Sequence, residues 1–176
     1  MACFREIAAL HAPKADIFLG ETLSSIAEVQ ALVAATAGYD VPLWCSLSVD
    51  DRDGTRLRSG EPLQGALAAL GHAQAVRLNC SLPEAISDGL PILSKSGMPF
   101  GAYANGFTNI TDAFANSGAD VSLLTARHDL GPDAYAQFAL RWADLGATII
   151  GGCCEVGPRH IAEVCLRLRA AGHDLA

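Results

Sequence analysis

Short apolar runs alternate with helical segments along almost the whole chain, and this alternation limits the fold more than any other feature. Each apolar run has the length of a buried strand, and an amphipathic or alanine-rich stretch follows it. Strands that alternate with helices are joined by right-handed crossovers, which give a parallel sheet covered by helices. The predicted strands are residues 16–21, 43–49, 75–79, 100–105 and 147–152. The predicted helices are residues 24–35, 62–70, 83–93, 132–145 and a last helix from Pro158 to just before Gly172. The sequence leaves open whether the short apolar run at residues 121–124 is a further strand.

Residues that can do chemistry follow these strands at their carboxyl ends. Parallel α/β folds, whether open or barrel-shaped, place their sites at that end of the sheet. The candidates are Glu21, Ser48, Cys80, Asn105, Cys153 and Cys154.

Three of the candidates are thiols, and they predict a metal site. Cys80 ends one strand, while Cys153 and Cys154 end another. Three thiolates can hold one zinc ion and leave its fourth position open for a substrate. Two adjacent cysteines share a metal only if the chain leaves regular strand geometry before them, and Gly151 and Gly152 favour such a bend.

Two other interpretations of the paired cysteines remain at this point. Free cysteines are commonly small buried residues, so Cys153 and Cys154 could simply belong to the core. They could also be a redox pair, although a disulfide between adjacent residues would be strained. The upstream Cys80 and the two glycines favour the metal site over both alternatives.

Composition limits the partners. The 176-residue chain is 51% hydrophobic and 18% charged, which suits one α/β domain with a sizeable core. Its net charge of -7 and the lack of a basic run argue against nucleic acid or an anionic membrane surface. No run is long enough to span a membrane, and the first residues do not resemble a secretory signal. Because six cysteines are dispersed through a core-rich chain, we expect a reduced protein located in the cytoplasm.

Several motifs resemble those of the homocysteine S-methyltransferases, which include betaine-homocysteine methyltransferase and the homocysteine domain of cobalamin-dependent methionine synthase. The resemblance extends over nearly the whole chain, and the paired cysteines with an upstream Asn-Cys are its most specific part. The matching segments are Glu21-Thr22, residues 44–48, residues 78–81, residues 103–106 and residues 151–161.

The resemblance implies an activity and roles for particular residues. Cys80, Cys153 and Cys154 are expected to bind Zn²⁺, with the homocysteine sulfur as the fourth ligand. Glu21 is expected to contact the amino group of homocysteine, and Asn105 to hydrogen-bond the substrate. The expected reaction transfers a methyl group to L-homocysteine and gives methionine. The expected donor is small: S-methylmethionine, S-adenosylmethionine or a betaine-like compound.

Glu21 and Asn105 could also have purely structural roles. Glu21 could be a solvated loop charge, and Asn105 could only stabilise the turn before Gly106. His160 lies one turn into the last helix, where capping is a more common role than metal ligation.

The chain also departs from the family pattern. A (β/α)8 barrel typically needs about 250 residues, and this chain resembles only the family's strands 4 to 8 with their helices. The family's Asp-Gly-Gly motif, which helps to bind homocysteine, does not occur. We therefore expect residues 1–176 to form a single methyltransferase-like domain, a partial TIM barrel that lacks the N-terminal part. Its open sheet edges predict self-association. The alternative function is a non-catalytic zinc-binding fragment or interaction partner.

Overall fold

The computed structural model describes residues 2–108, 110 and 124–175. Within these residues six helices alternate with five strands. The helices are α1 (Ala2–His11), α2 (Ile26–Thr36), α3 (Leu63–Ala68), α4 (Pro83–Leu93), α5 (Pro132–Asp144) and α6 (Pro158–Ala170). The strands are β1 (Phe18–Leu23), β2 (Leu43–Leu47), β3 (Ala75–Asn79), β4 (Phe100–Tyr103) and β5 (Ile149–Ile150).

The strands form one sheet in the order β1-β2-β3-β4-β5, and every neighbouring pair is parallel. This order follows the chain, as it does for neighbouring strands of a (β/α)8 barrel. All five predicted strands are therefore present, although the last is only two residues long. Most of the run at residues 121–124 lies outside the described residues, so its assignment as a strand stays open.

One face of the sheet packs against the helices and forms the core. Leu43, Cys45 and Leu47 of β2 and Val76 and Leu78 of β3 have no exposed surface. These residues alternate along their strands, so the residues between them lie on the opposite face. We call the helix-covered face the outer face and the opposite one the concave face.

Local signals in the sequence explain where several helices begin. Ser25 is the N-cap of α2, and its side chain forms a capping box with Glu28. Pro83, Pro132 and Pro158 each lie at the start of a helix, where the missing N–H costs no hydrogen bond. Helix α1 at the amino end was not among the predicted helices. None of the helices in the described ranges is long and apolar enough to cross a bilayer.

Candidate metal centre

The sulfur atoms of Cys80, Cys153 and Cys154 lie together at the carboxyl end of the sheet. All three Sγ atoms are within 4.8 Å of one another, and the Sγ atoms of Cys153 and Cys154 are 3.8 Å apart. Cys80 and Cys153 are partly buried, whereas Cys154 is exposed. The structure therefore brings together the three thiols that the sequence singled out, from the ends of β3 and β5.

Backbone hydrogen bonds fix the two cysteine segments beside the end of β4. The N–H of Cys80 donates to the carbonyl of Tyr103 (3.2 Å), and the N–H of Cys153 donates to Ala104 (3.0 Å). From helix α5, the Tyr135 hydroxyl donates to the Gly151 carbonyl (2.8 Å) and accepts from the Ala104 N–H (3.0 Å). The segments that carry the thiols are thus held by the scaffold itself.

The bend toward the paired cysteines differs from the prediction in its cause. The positive φ angles near the site belong to Cys80 (50°) and Glu155 (63°), not to Gly151 or Gly152. Gly152 is required for space instead, because a Cβ there would overlap the side chain of Val156. Gly152 is therefore needed for packing rather than for an unusual backbone angle.

The thiols influence one another's protonation. A hydrogen bond from Cys153 lowers the pKa of Cys80, while the same contact and burial raise the pKa of Cys153. Burial also raises the pKa of Cys154. A negative charge in this cluster is therefore held first on Cys80, and a cation among the three sulfurs would favour further deprotonation.

The donor set suits a zinc ion, and one of its three sulfur–sulfur separations matches a tetrahedral site. Zinc binds cysteine sulfur at about 2.3 Å, so two sulfurs of a tetrahedral site are about 3.8 Å apart. The Cys153–Cys154 separation of 3.8 Å matches that value. Three thiolates leave one position free, which is the arrangement of catalytic rather than structural zinc sites.

Glu21 lies on the concave face of β1, where its exposed carboxylate receives a hydrogen bond. The Tyr103 hydroxyl donates to Glu21 Oε1 at 2.9 Å. This contact orients the carboxylate, and its second oxygen has no hydrogen-bond partner in the part of the chain that the structure describes. Glu21 is therefore held by a defined partner, rather than being only a solvated loop charge.

Asn105 is fully buried at the turn after β4. Its Oδ1 accepts from the N–H of Phe107 (3.2 Å), so it does stabilise the turn, as the alternative interpretation expected. Its Nδ2 has no hydrogen-bond partner among the described residues. The same amide lies close enough to Cys80 to lower the pKa of that thiol.

A cavity of about 530 Å³ adjoins the thiol cluster. Cys80 is part of its wall, and the other lining residues come from the end of β1, the start of α2, the loop after β2 and the segment after β4. They are Thr22, Ser24, Ser25, Glu28, Arg58, Ser59 and Ile110. A small molecule in this cavity would be in contact with Cys80.

Comparison with known proteins agrees with this geometry. The sequence model described as homocysteine S-methyltransferase matches residues 1–168. This chain belongs to the homocysteine S-methyltransferase family. A curated homocysteine S-methyltransferase from Escherichia coli is 31% identical over 155 residues, which are 85% of this chain and 47% of that protein. The chain spans about half the length of the curated relatives that it matches.

Solved structures of the family share the fold. The apo form of the homocysteine methyltransferase MmuM from Escherichia coli superposes with a TM-score of 0.68 and 27% identity, covering 94% of this chain and 57% of MmuM. A metallated form of MmuM matches with a TM-score of 0.67 and 25% identity, over 94% of this chain and 51% of that one. The prediction of a partial TIM barrel is thereby confirmed.

The remaining candidates have structural roles in this family member. The Ser48 hydroxyl donates to the Asn79 carbonyl (3.0 Å), and the Asn79 side chain donates to Thr22 Oγ1 (3.0 Å). These bonds join the ends of β1, β2 and β3. His160 Nδ1 accepts from the Gly157 N–H at 3.2 Å, which confirms its predicted capping role.

Two arginines near the site were not found from the sequence. Arg58 Nη2 donates to the carbonyl of Cys80 (2.9 Å), and Arg77 lies between the rings of Trp44 and Tyr103. Arg77 could have been noticed as a charge inside an otherwise apolar strand. Nothing in the sequence indicated that the loop carrying Arg58 returns to Cys80.

Proposed function

We propose that this chain takes part in zinc-dependent methyl transfer to the thiol of L-homocysteine, which gives methionine. The observation that carries the proposal is the set of three sulfur atoms within 4.8 Å of one another beside an open cavity. Membership of the family supports the same reaction.

The three cysteines would hold Zn²⁺, and the homocysteine sulfur would complete its coordination. When bound, zinc keeps the substrate thiol deprotonated at neutral pH, so that no general base is needed at sulfur. The sulfur forms a bond to the methyl carbon, and the bond between that carbon and the donor breaks. The electron pair of the broken bond leaves with the sulfur or nitrogen of the donor.

The protein's own side chains would grip and orient the amino acid. Glu21 would accept hydrogen bonds from the substrate ammonium group through the oxygen that Tyr103 leaves free. Asn105 would donate from its buried Nδ2, which lies beside Cys80, to the bound substrate. Holding the thiolate in line with the donor methyl group is an entropic contribution that can be worth several kcal/mol.

The methyl donor would be a small cation in the cavity beside Cys80. S-Methylmethionine, S-adenosylmethionine and betaine-like compounds all carry a transferable methyl group on a sulfonium or ammonium centre. Because the three cysteines of the cluster must stay reduced for this chemistry, the proposed location is the cytoplasm.

A second candidate function follows from the length of the match. Since the chain spans about half of its relatives, it could bind zinc without catalysing transfer on its own. Strands β1 and β5 each have one unpaired edge within the described sheet, so we propose pairing with a second copy or with a complementing segment. Light scattering after size exclusion would report such association, and a monodisperse monomer would contradict it.

Methionine formation separates the two functions. The zinc-loaded chain is incubated with homocysteine and each of the three donors, and methionine is quantified by mass spectrometry. We expect product from the parent chain, none from C153S, and parental product from C165S, whose thiol lies on α6 outside the cluster. Bound zinc without product for any donor would support the non-catalytic alternative.

A further inference from the structure

Arg77 is a buried charge on the concave face of β3. Only 7% of the residue is exposed, and its neighbours Val76 and Leu78 belong to the outer face. Its Nε and Nη2 atoms have no hydrogen-bond partner in the part of the chain that the structure describes. Among those residues it also forms no ion pair. Burying guanidinium nitrogens without a hydrogen-bond acceptor costs free energy. An anion bound beside Arg77 would remove that cost.

Aromatic rings hold the guanidinium in place but do not accept hydrogen bonds from its nitrogens in the plane of the group. Its Cζ lies 5.4 Å from the Trp44 ring centroid and 4.9 Å from the Tyr103 ring centroid. Such cation–π contacts are attractive, but they use the faces of the rings and leave the N–H groups free. Arg77 is therefore preorganised, and its Nε and Nη2 are buried donors without an acceptor among the described residues.

A second unpartnered donor lies beside it. Ser46 is the register partner of Arg77 on β2, and it is fully buried. Its Oγ makes no full hydrogen bond among the described residues, although it lies close enough to the Tyr103 hydroxyl to lower the pKa of that group. A guanidinium next to a hydroxyl that can turn toward a ligand is a donor set that suits a carboxylate.

The same group of side chains continues to Glu21. The Tyr103 ring packs on Arg77, and the Tyr103 hydroxyl donates to Glu21 Oε1 at 2.9 Å. One tyrosine thus lies between a free guanidinium and a partly free carboxylate, which do not pair with each other. An α-amino acid carries the complementary charges, an ammonium and a carboxylate on one carbon.

We infer that Arg77, assisted by Ser46, binds the α-carboxylate of the amino-acid substrate while Glu21 binds its ammonium group. The inference rests on the proposed function, because it places the substrate thiol at Cys80. From Arg77 to Cys80 the strand rises about 10 Å, a span that an extended homocysteine and the two reaching side chains can bridge. An acidic side chain from another polypeptide would satisfy Arg77 alone, whereas the zwitterion satisfies Arg77 and Glu21 together.

The test crosses variants with truncated substrates in calorimetric titrations of the zinc-loaded chain. The probes are homocysteine, 3-aminopropane-1-thiol, which lacks the carboxylate, and 4-sulfanylbutanoate, which lacks the amino group. The variants are R77M and E21Q. R141M is the matched control, because Arg141 also stacks on an aromatic ring, Phe138 at 4.4 Å, but is exposed on α5.

The two variants should fail on different probes. R77M should weaken homocysteine and 4-sulfanylbutanoate by roughly 10- to 100-fold, the range of a charged hydrogen bond, and leave 3-aminopropane-1-thiol unchanged. E21Q should weaken homocysteine and 3-aminopropane-1-thiol and leave 4-sulfanylbutanoate unchanged. R77K, which keeps the charge, should lose less than R77M, and R141M should bind all three as the parent does.

Several outcomes would overturn the inference. If R77M lost the same affinity for homocysteine and for 3-aminopropane-1-thiol, Arg77 would not bind the carboxylate. If these equal losses came with a change in the molecular mass of R77M in light scattering, Arg77 would instead pair with an acidic side chain of a partner chain. If the parent binds none of the three thiols, the proposed function itself fails and the inference fails with it. Circular dichroism checks folding, and R77Q is the second neutral variant if R77M does not fold.

Discussion

The two faces of the sheet differ in how completely the rest of the chain covers their side chains and pairs their polar groups. On the outer face, Leu43, Leu47 and Leu78 are fully buried against helices. On the concave face, Leu19 is 44% exposed, and the polar groups of Ser46 and Arg77 have no partner among the described residues. The outer layer therefore supplies most of the stability of the folded chain, whereas the concave layer carries the donors that the inference above assigns to a substrate.

The largest expected effect compares one leucine from each face. L78A removes a fully buried side chain and should cost about 2–5 kcal/mol of unfolding free energy, because it leaves a cavity. L19A should cost less than about 0.5 kcal/mol in the isolated chain, since its side chain is already exposed. Urea denaturation of both variants measures the difference. Comparable losses would mean that the concave face is covered in solution, for example by a second copy.

A pH titration examines the outer face through its one buried thiol. Burial raises the pKa of Cys45 from 9.0 to about 11, although Arg77 partly opposes the shift. Below pH 9 both states keep the proton and the group contributes nothing. Between pH 9 and 11 only the unfolded chain loses it, so stability should fall by up to about 3 kcal/mol.

The Cys45 contribution is read as a difference between variants. Unfolding free energies of the parent and C45A are compared from pH 8 to 10.5, and the gap between them should narrow as the pH rises. C165S should keep the parental slope, since Cys165 is only partly buried. If the unfolding free energies of the parent and C45A changed with pH in parallel, the pKa of Cys45 would not be raised. Its environment would then be more polar than in the structure.

The smallest expected effect is on the stability of R77M. Methionine has a similar length, fits between two aromatic rings and needs no hydrogen bonds, so the unfolding free energy should stay the same or rise. Thermal unfolding without substrate measures this. A clear loss of stability would indicate that Arg77 already has an anionic partner in the free protein.

The sequence was sufficient to predict the order of the strands and the three clustered thiols. Cys80, Cys153 and Cys154 could be predicted to meet, because parallel strands bring their carboxyl ends to one edge. The left-handed backbone at Cys80 could not, since cysteine has no preference for that conformation.

Contacts between segments that are distant in the sequence could not be predicted. The stacking of Arg77 on Trp44 and Tyr103 depends on the register of three strands, which no local pattern specifies. The hydrogen bond from Tyr103 to Glu21 joins residues 82 positions apart. Such contacts decide how a substrate is held, and they required the fold.

X-ray absorption at the zinc edge of the loaded chain tests the central claim most directly. Before substrate is added, the account predicts three sulfur neighbours at about 2.3 Å and one lighter atom. Adding homocysteine should replace the lighter atom and give four sulfurs, while C153S should lose one sulfur before and after addition. Fewer than three sulfurs in the parent, or a shell that homocysteine leaves unchanged, would contradict the account.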